Sequence, residues 1–289
     1  MSVLCFLISR KVFMDKKKIL YVSDLDGTLL GKNAQISSSS VQVLNKLIAE
    51  GMNFSAATGR SKETAMKVLE VLDLKIPVIL LNGVLVYDMA EKKYINAESM
   101  KPGTAAACIE ILRKYGLFGF IYRMDGEEVS VSYESAESEA NREYYEVRSR
   151  NYSNPFIKVS RMEDACAENT ISITLRAREE ELRPAYEKIR LLPGTECVLC
   201  RDDYSDKYFF LECFSSDAAK GNGVRFLKRT FGFEYAVGFG DNLNDLSLFS
   251  ACDEKYAVEN AEREVREAAD AVIKSSTENG VAEWLYENF

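Results

Sequence analysis

Ile19-Leu20-Tyr21-Val22 is an uninterrupted apolar run that stops at Ser23-Asp24, the pattern of a short parallel strand buried on both faces. Behind a serine cluster at 37–40, Val41, Leu44, Leu47 and Ile48 recur at helical spacing, and Gly51 supplies a C-cap. A second apolar run at 54–57 leads into Thr58-Gly59-Arg60, and a second helix is predicted from Ser61, carrying Met66, Leu69 and Leu72. Strand, helix, strand, helix is the βαβ pattern of an α/β domain. Residues 77–81 make a third strand, but Asn82-Gly83 then sits directly before Val84-Leu85-Val86-Tyr87, and an Asn-Gly pair between apolar runs signals a hairpin. The alternation breaks there.

From 85 to 213 strands and helices mix without the buried parallel look. Helices are predicted at 105–115 and 179–191, and strands at 118–123, 128–133, 171–176 and 208–213. The charged stretch 134–150 is expected to be a solvated helix. This whole segment reads as an inserted α+β domain. The βα pattern then resumes, with a helix at 221–229, a strand at 235–239 running into Gly240-Asp241, helices at 246–251 and 262–269, and a last helix opened by Gly280-Val281 and carrying Trp284 and Leu285. The expected division is therefore a core made of 14–84 and 214–289 around an insertion at 85–213. Residues 1–13 precede Met14-Asp15-Lys16, which reads as a natural start, so they are expected to be a start-site extension or disordered. They lack the basic region and cleavage site of a secretion signal.

Composition narrows the function classes. The 289 residues suffice for two domains, and 47% hydrophobic with 28% charged residues is ordinary for a soluble globular protein. No apolar run reaches the roughly 18 residues of a membrane helix. A net charge of -8 argues against general nucleic-acid binding, and it means that an anionic substrate would need local cations. Histidine is absent, which excludes Ser-His-Asp and Cys-His catalysis and His-ligated zinc. The seven cysteines, Cys5, Cys108, Cys166, Cys197, Cys200, Cys213 and Cys252, are odd in number and scattered, as expected of reduced thiols in the cytoplasm. Cys197 and Cys200 have metal-site spacing, but in an extended segment they point to opposite faces.

Against this background four aspartates stand out: Asp24 and Asp26 in Asp24-Leu25-Asp26-Gly27-Thr28, and Asp241 and Asp245 in Gly240-Asp241-Asn242-Leu243-Asn244-Asp245. Asp24, Thr58 and Asp241 each come just after a predicted strand, and ligands of open α/β sheets bind beyond the strand ends, so these groups can converge. Converging carboxylates repel one another unless a cation lies among them, which points to a hard metal. Lys220 sits in the first turn of a helix, where the dipole disfavours a cation. A solvated lysine is the plain reading of that position alone; a nearby phosphate or acid cluster would reverse the preference. Acid turns and helix caps likewise explain each aspartate singly, but not the whole ordered set.

Asp24-Leu25-Asp26-Gly27-Thr28, Thr58, Lys220 and the Gly240 to Asp245 segment resemble the four motifs of the haloacid dehalogenase superfamily, and the insertion resembles the large α/β (C2B-type) cap of its Cof-type phosphatases. The resemblance implies a Rossmann-like three-layer core with a mostly parallel sheet, and a phosphoric monoester hydrolase. Asp24 would be the nucleophile that forms an aspartyl-phosphate, and Asp26 the general acid and base. Mg²⁺ would be held by Asp24, the Asp26 carbonyl and Asp241, with Asp245 supporting Lys220 or a metal-bound water. Thr58, Gly59, Lys220 and Asn244 would bind phosphoryl oxygens. Repulsion from its neighbours would keep a proton on Asp26. Arg60, Tyr122 and Arg123 could face the leaving group, although solvation explains each of them. The expected substrate is a small phosphorylated metabolite, with choice residing in the cap, and neither nucleic acid nor membrane is an expected partner. The expected assembly is a monomer or weak homodimer. A phosphosugar mutase of the same superfamily shares these motifs, and a phosphoaspartate receiver domain is a more distant alternative, disfavoured by the large insertion.

Overall fold

The computed structural model describes residues 15–151, 155–202 and 205–289. The expectation for residues 1–13 lies outside these. Two compact units are present, one running to Asn96 and resuming over Ala219–Phe289, the other formed by Ala97–Ala218.

The first unit opens with β1 (Ile19–Ser23), α1 (Ser38–Ala49), β2 (Asn53–Ala56), α2 (Lys62–Leu69), β3 (Val78–Leu80), β4 (Leu85–Asp88) and β5 (Lys93–Ala97). Ser37 caps α1, its hydroxyl accepting the Ser40 N–H, and Leu44, Leu47 and Ile48 bury the predicted face. The Asn-Gly signal is realised as an antiparallel β3–β4 pairing with Leu80 opposite Leu85. Leu81, Asn82 and Gly83 all take positive φ, 48°, 54° and 103°, which turns the chain within three residues.

The second unit contains α3 (Pro102–Lys114), β6 (Phe120–Asp125), β7 (Glu128–Tyr133), α4 (Glu139–Asn151), β8 (Phe156–Lys158), β9 (Thr170–Ala177), α5 (Glu179–Ile189), β10 (Thr195–Arg201) and β11 (Phe209–Ser215). Its sheet runs in the order β10-β11-β9-β6-β7-β8, antiparallel except for the β7–β8 pair. Ile109, Leu112, Ile121, Ile173, Leu175, Leu182 and Leu211 form its main core. Cys197 is buried and Cys200 exposed, as the period of a strand requires. The helix expected to be solvated, α4, instead lays Ala140, Asn141 and Tyr144 into the unit, with the Tyr144 ring 4.7 Å from that of Phe120. Its apolar contacts come from tyrosine rings, which the density of charge along the segment obscured.

The first unit resumes with α6 (Lys220–Phe231), β12 (Tyr235–Gly240), α7 (Asp245–Ala251), β13 (Glu254–Val258), α8 (Arg263–Ala268), β14 (Ala271–Ile273) and α9 (Gly280–Asn288). Its sheet is wholly parallel, in the order β14-β13-β12-β1-β2, and a parallel bridge from Ala57 to Ile79 leads on to β3. The fold is thus α/β with a parallel-sheet core and an additional α+β unit.

The expected boundaries at 85 and 213 move to 97 and 218. At the first, β4 pairs with β3 and β5 lies beside β4, which ties the hairpin to the core. At the second, β11 continues to Ser215 in register with Thr195. Among the described residues, no helix is long and apolar enough to cross a membrane.

Close packing of α6 is the constraint that fixes Lys220. A Cβ on Gly221 would lie 2.1 Å from the Ser247 carbonyl oxygen, whereas one on Gly103 would meet nothing within 4 Å. Gly221→Ala should therefore lower unfolding stability by about 1–3 kcal/mol in urea titration, and Gly103→Ala should not lower it. Equal losses in the two variants would contradict this packing.

Candidate active site

Asp24 is the first residue beyond β1, and its N–H donates to the Phe239 carbonyl at 2.9 Å, which seats it beside the end of β12. Parallel pairing of Ser23 with Phe239 makes this adjacency a matter of register. The chain then turns tightly over Leu25–Leu29, with Gly27 at φ 82°. A Cβ there would stand 2.3 Å from Asp241 Oδ2, so this turn requires glycine for space as well as conformation. Thr28 Oγ1 donates to Asp241 Oδ1 at 2.7 Å, and Asn260 Nδ2 donates to the Gly27 carbonyl at 2.7 Å.

Lys220 begins α6 and is 1% exposed, which rules out the solvated reading. Its Nζ donates to Asp24 Oδ1 at 2.6 Å and to Asp245 Oδ1 at 2.7 Å. Asp245 is fully buried, and its other oxygen accepts the N–H groups of Asp241 and Asn242 at 2.9 and 3.0 Å. One carboxylate thus fixes both the lysine and the loop that carries Asp241.

Oxygen atoms of Asp24, Asp241 and Asp245 lie within 4.8 Å of one another. Three carboxylates facing a single ammonium carry two negative charges beyond what it neutralises. Burial pushes the Asp24 carboxyl up to about 8, with Asp245 and Asp241 adding to the effect and Lys220 opposing it. Burial likewise raises Asp241, against the Thr28 hydrogen bond. Burial alone would lower Lys220, but Asp24 and Asp245 outweigh it and hold the ammonium charged. An oxygen-only donor set with surplus negative charge fits Mg²⁺ or another hard divalent cation.

Asp26 is placed differently from expectation. Its side chain is half-exposed and chelated by Arg60, Nε to Oδ2 at 2.7 Å and Nη2 to Oδ1 at 2.6 Å. Among the described residues the acid cluster comprises three aspartates and not four. The expected crowding of Asp26 by carboxylates is replaced by a guanidinium, because Leu25 is buried in the core and the turn directs its two neighbours to separate surroundings.

Thr58 is fully buried. Its N–H donates to the Ile79 carbonyl at 2.9 Å, and its Oγ1 accepts the Arg60 N–H at 3.1 Å. The Asn82 N–H donates to the Thr58 carbonyl, and Asn244 Nδ2 donates to Asn82 Oδ1 at 3.0 Å. A Cβ on Gly59 would come within 3.3 Å of the Asn82 amide, so Thr58, Gly59, Asn82 and Asn244 meet at one edge. Asn82 and Arg60 had only local readings in the sequence, as a turn residue and a solvated cation. Thr28 and Asn260 carried no signal beyond their polar type.

The model of the haloacid dehalogenase-like hydrolase family matches residues 21–285. The chain belongs to this family. Pyridoxal phosphate phosphatase YbhA of Escherichia coli is 26% identical to this hydrolase over 292 residues, covering 91% of this chain and 96% of that protein. The 5-amino-6-(5-phospho-D-ribitylamino)uracil phosphatase YwtE of Bacillus subtilis is 26% identical over 282 residues, covering 91% and 95%. The crystal structure of TM0651 from Thermotoga maritima superposes with a TM-score of 0.72 at 26% identity, covering 93% of this chain and 97% of that one. The superfamily expected from the four motifs is the one found.

The charge balance sets two outcomes. Lys220→Met leaves Asp24 and Asp245 buried without their cation and should cost about 3–5 kcal/mol in metal-free urea unfolding; a loss under about 1 kcal/mol would contradict the buried ion pair. The folded-state value of Asp24, about 8, lies above its ordinary 3.8. Its stabilising contribution is therefore complete below about pH 4 and is lost as pH rises through about 8. In EDTA the Tm of the native protein should fall between about pH 5 and 8 by more than that of Asp24→Asn. Saturating Mg²⁺ should raise the native Tm more at about pH 8 than at 5, and equal rises would contradict the account.

Proposed function

We propose that this hydrolase is a Mg²⁺-dependent phosphatase that cleaves a small phosphorylated metabolite through an aspartyl-phosphate on Asp24. The observation that carries the reading is the buried Lys220 ammonium held against Asp24 in a cluster with an unmet need for positive charge. An anionic phosphoryl group brought to such a site needs that cation. Asp24, Asp241 and Asp245, with the Asp26 carbonyl, would hold Mg²⁺, which would offset charge on the phosphoryl oxygens. The relatives YbhA and YwtE are named for two different phosphorylated metabolites, which supports the substrate class and not one compound.

In the first half-reaction an Asp24 oxygen attacks phosphorus, the bond to the leaving oxygen breaks, and Asp26 gives that oxygen a proton. In the second, Asp26 takes a proton from water as the water attacks phosphorus, and phosphate leaves Asp24. Lys220 keeps Asp24 oriented and offsets its charge. Thr58, the Gly59 turn and Asn244 bind phosphoryl oxygens. Arg60 holds Asp26 with two bonds that favour the carboxylate, so at least one of them must open before Asp26 carries a proton. The net charge of -8 and the scattered thiols support a cytoplasmic enzyme with a small-molecule partner, working as a monomer or weak homodimer and not on nucleic acid or membranes.

A phosphate-release screen over phosphorylated metabolites should find turnover that EDTA abolishes and Mg²⁺ restores. Asp24→Asn should lose at least about 10³-fold in kcat while remaining folded; near-full activity would refute the nucleophile. Asp26→Ala should lose about 10²–10⁴-fold on alkyl phosphates and much less on an aryl phosphate, whose leaving group needs little protonation. Equal losses on both would refute the acid role. Transfer of the phosphoryl group to a second sugar hydroxyl, without phosphate release, would replace hydrolase by mutase.

A further inference from the structure

A pocket of about 240 Å³ lies wholly within the Ala97–Ala218 unit, between α4, the start of α5 and the end of β9. Asn141 forms part of its wall and is 5% exposed. Its Nδ2 donates to the Phe118 carbonyl at 2.8 Å, which fixes the amide, since only the nitrogen can donate. Its Oδ1 is buried and has no hydrogen-bond partner among the described residues. A buried acceptor left unpaired is costly, and a ligand that brings a donor removes the cost.

The remaining wall is already ordered. Arg176 is 9% exposed, held by Asp202 at 2.7 Å, Glu143 at 2.9 Å and the Ala140 carbonyl at 3.1 Å, with its guanidinium 4.3 Å from the centre of the Tyr208 ring. Glu139 accepts from Lys207 and from the Tyr208 hydroxyl, and Glu181 accepts the Arg178 N–H. The lining thus carries both signs of charge, already paired. An anion would meet Glu139 and Glu181, and a cation would meet Arg176, Arg178 and Lys207. A hydroxyl both donates and accepts, so it suits this wall and supplies the donor that Asn141 lacks. The volume exceeds the roughly 30 Å³ share of one water many times over, yet falls below the usual range of drug-sized sites.

We infer that this pocket is a ligand site, separate from the aspartate cluster, for a small neutral polyhydroxylated molecule whose hydroxyl donates to Asn141 Oδ1. The inference does not depend on the phosphatase reading, because binding is measured without turnover.

Isothermal titration of the full chain with ribitol, sorbitol, D-glucose and glycerol tests it, with inorganic phosphate and spermidine as charged probes. At least one polyol should saturate at millimolar concentration or below, and Asp24→Asn should bind it equally well. Asn141→Leu should weaken it at least tenfold. Ser135→Trp, which fills the pocket from its rim and leaves Asn141 in place, should do the same and decides the matter if Asn141→Leu fails to fold. Three results would overturn the inference: no saturable polyol binding, which leaves the acceptor to water; unchanged affinity in Ser135→Trp; or saturation by phosphate or spermidine alone.

Discussion

The ammonium of Lys220 is almost completely buried and is gripped at 2.6 and 2.7 Å by Asp24 and Asp245. Such burial is tolerated only with full pairing, and every part of the first unit that reaches the site is arranged around that demand. Asp245 answers it with one oxygen and uses the other to hold the Asp241 and Asn242 amides. The close approach of Gly221 to Ser247 locks α6 against α7, so the lysine and its two acids cannot drift apart without unpacking the helices.

That arrangement overshoots electrically. Asp241 brings a third carboxylate into a space where one ammonium serves three acids, and the excess is the physical reason for a divalent cation. The same excess explains how a protein of net charge -8 can attract a phosphoryl group: the local field of a filled site has the opposite sign to the field of the whole molecule. Asp26 stands apart from this cluster with Arg60, which separates the group that handles protons from the groups that handle phosphorus.

Much of this was legible in the sequence because parallel-strand physics is local. Apolar runs at 19–22 and 235–239 mark buried strands, and the sheet places the residues at the end of each run; hence Asp24 and Asp241. Lys220 was legible only as part of the motif set, since its own position at a helix start argues for solvent, and its partners are distant in sequence. The Arg60–Asp26 pair depends on the dihedral angles of the Gly27 turn, which no periodicity reports. The edge strands β13 and β14 escaped because Lys255, Tyr256, Ala271 and Val272 are partly or largely exposed and alternate weakly. The unit boundaries were displaced because strand pairing, and not a change of composition, decides where the hairpin after β3 belongs.

The most direct test is acid quench of a single turnover with Mg²⁺ and an active phosphorylated substrate, with peptide mass mapping of the quenched protein. A transient phosphoryl adduct is expected on the peptide that contains Asp24, and none in Asp24→Asn. Phosphate release at the native rate with no adduct on Asp24 at any quench time, or with the adduct on another residue, would contradict the aspartyl-phosphate route.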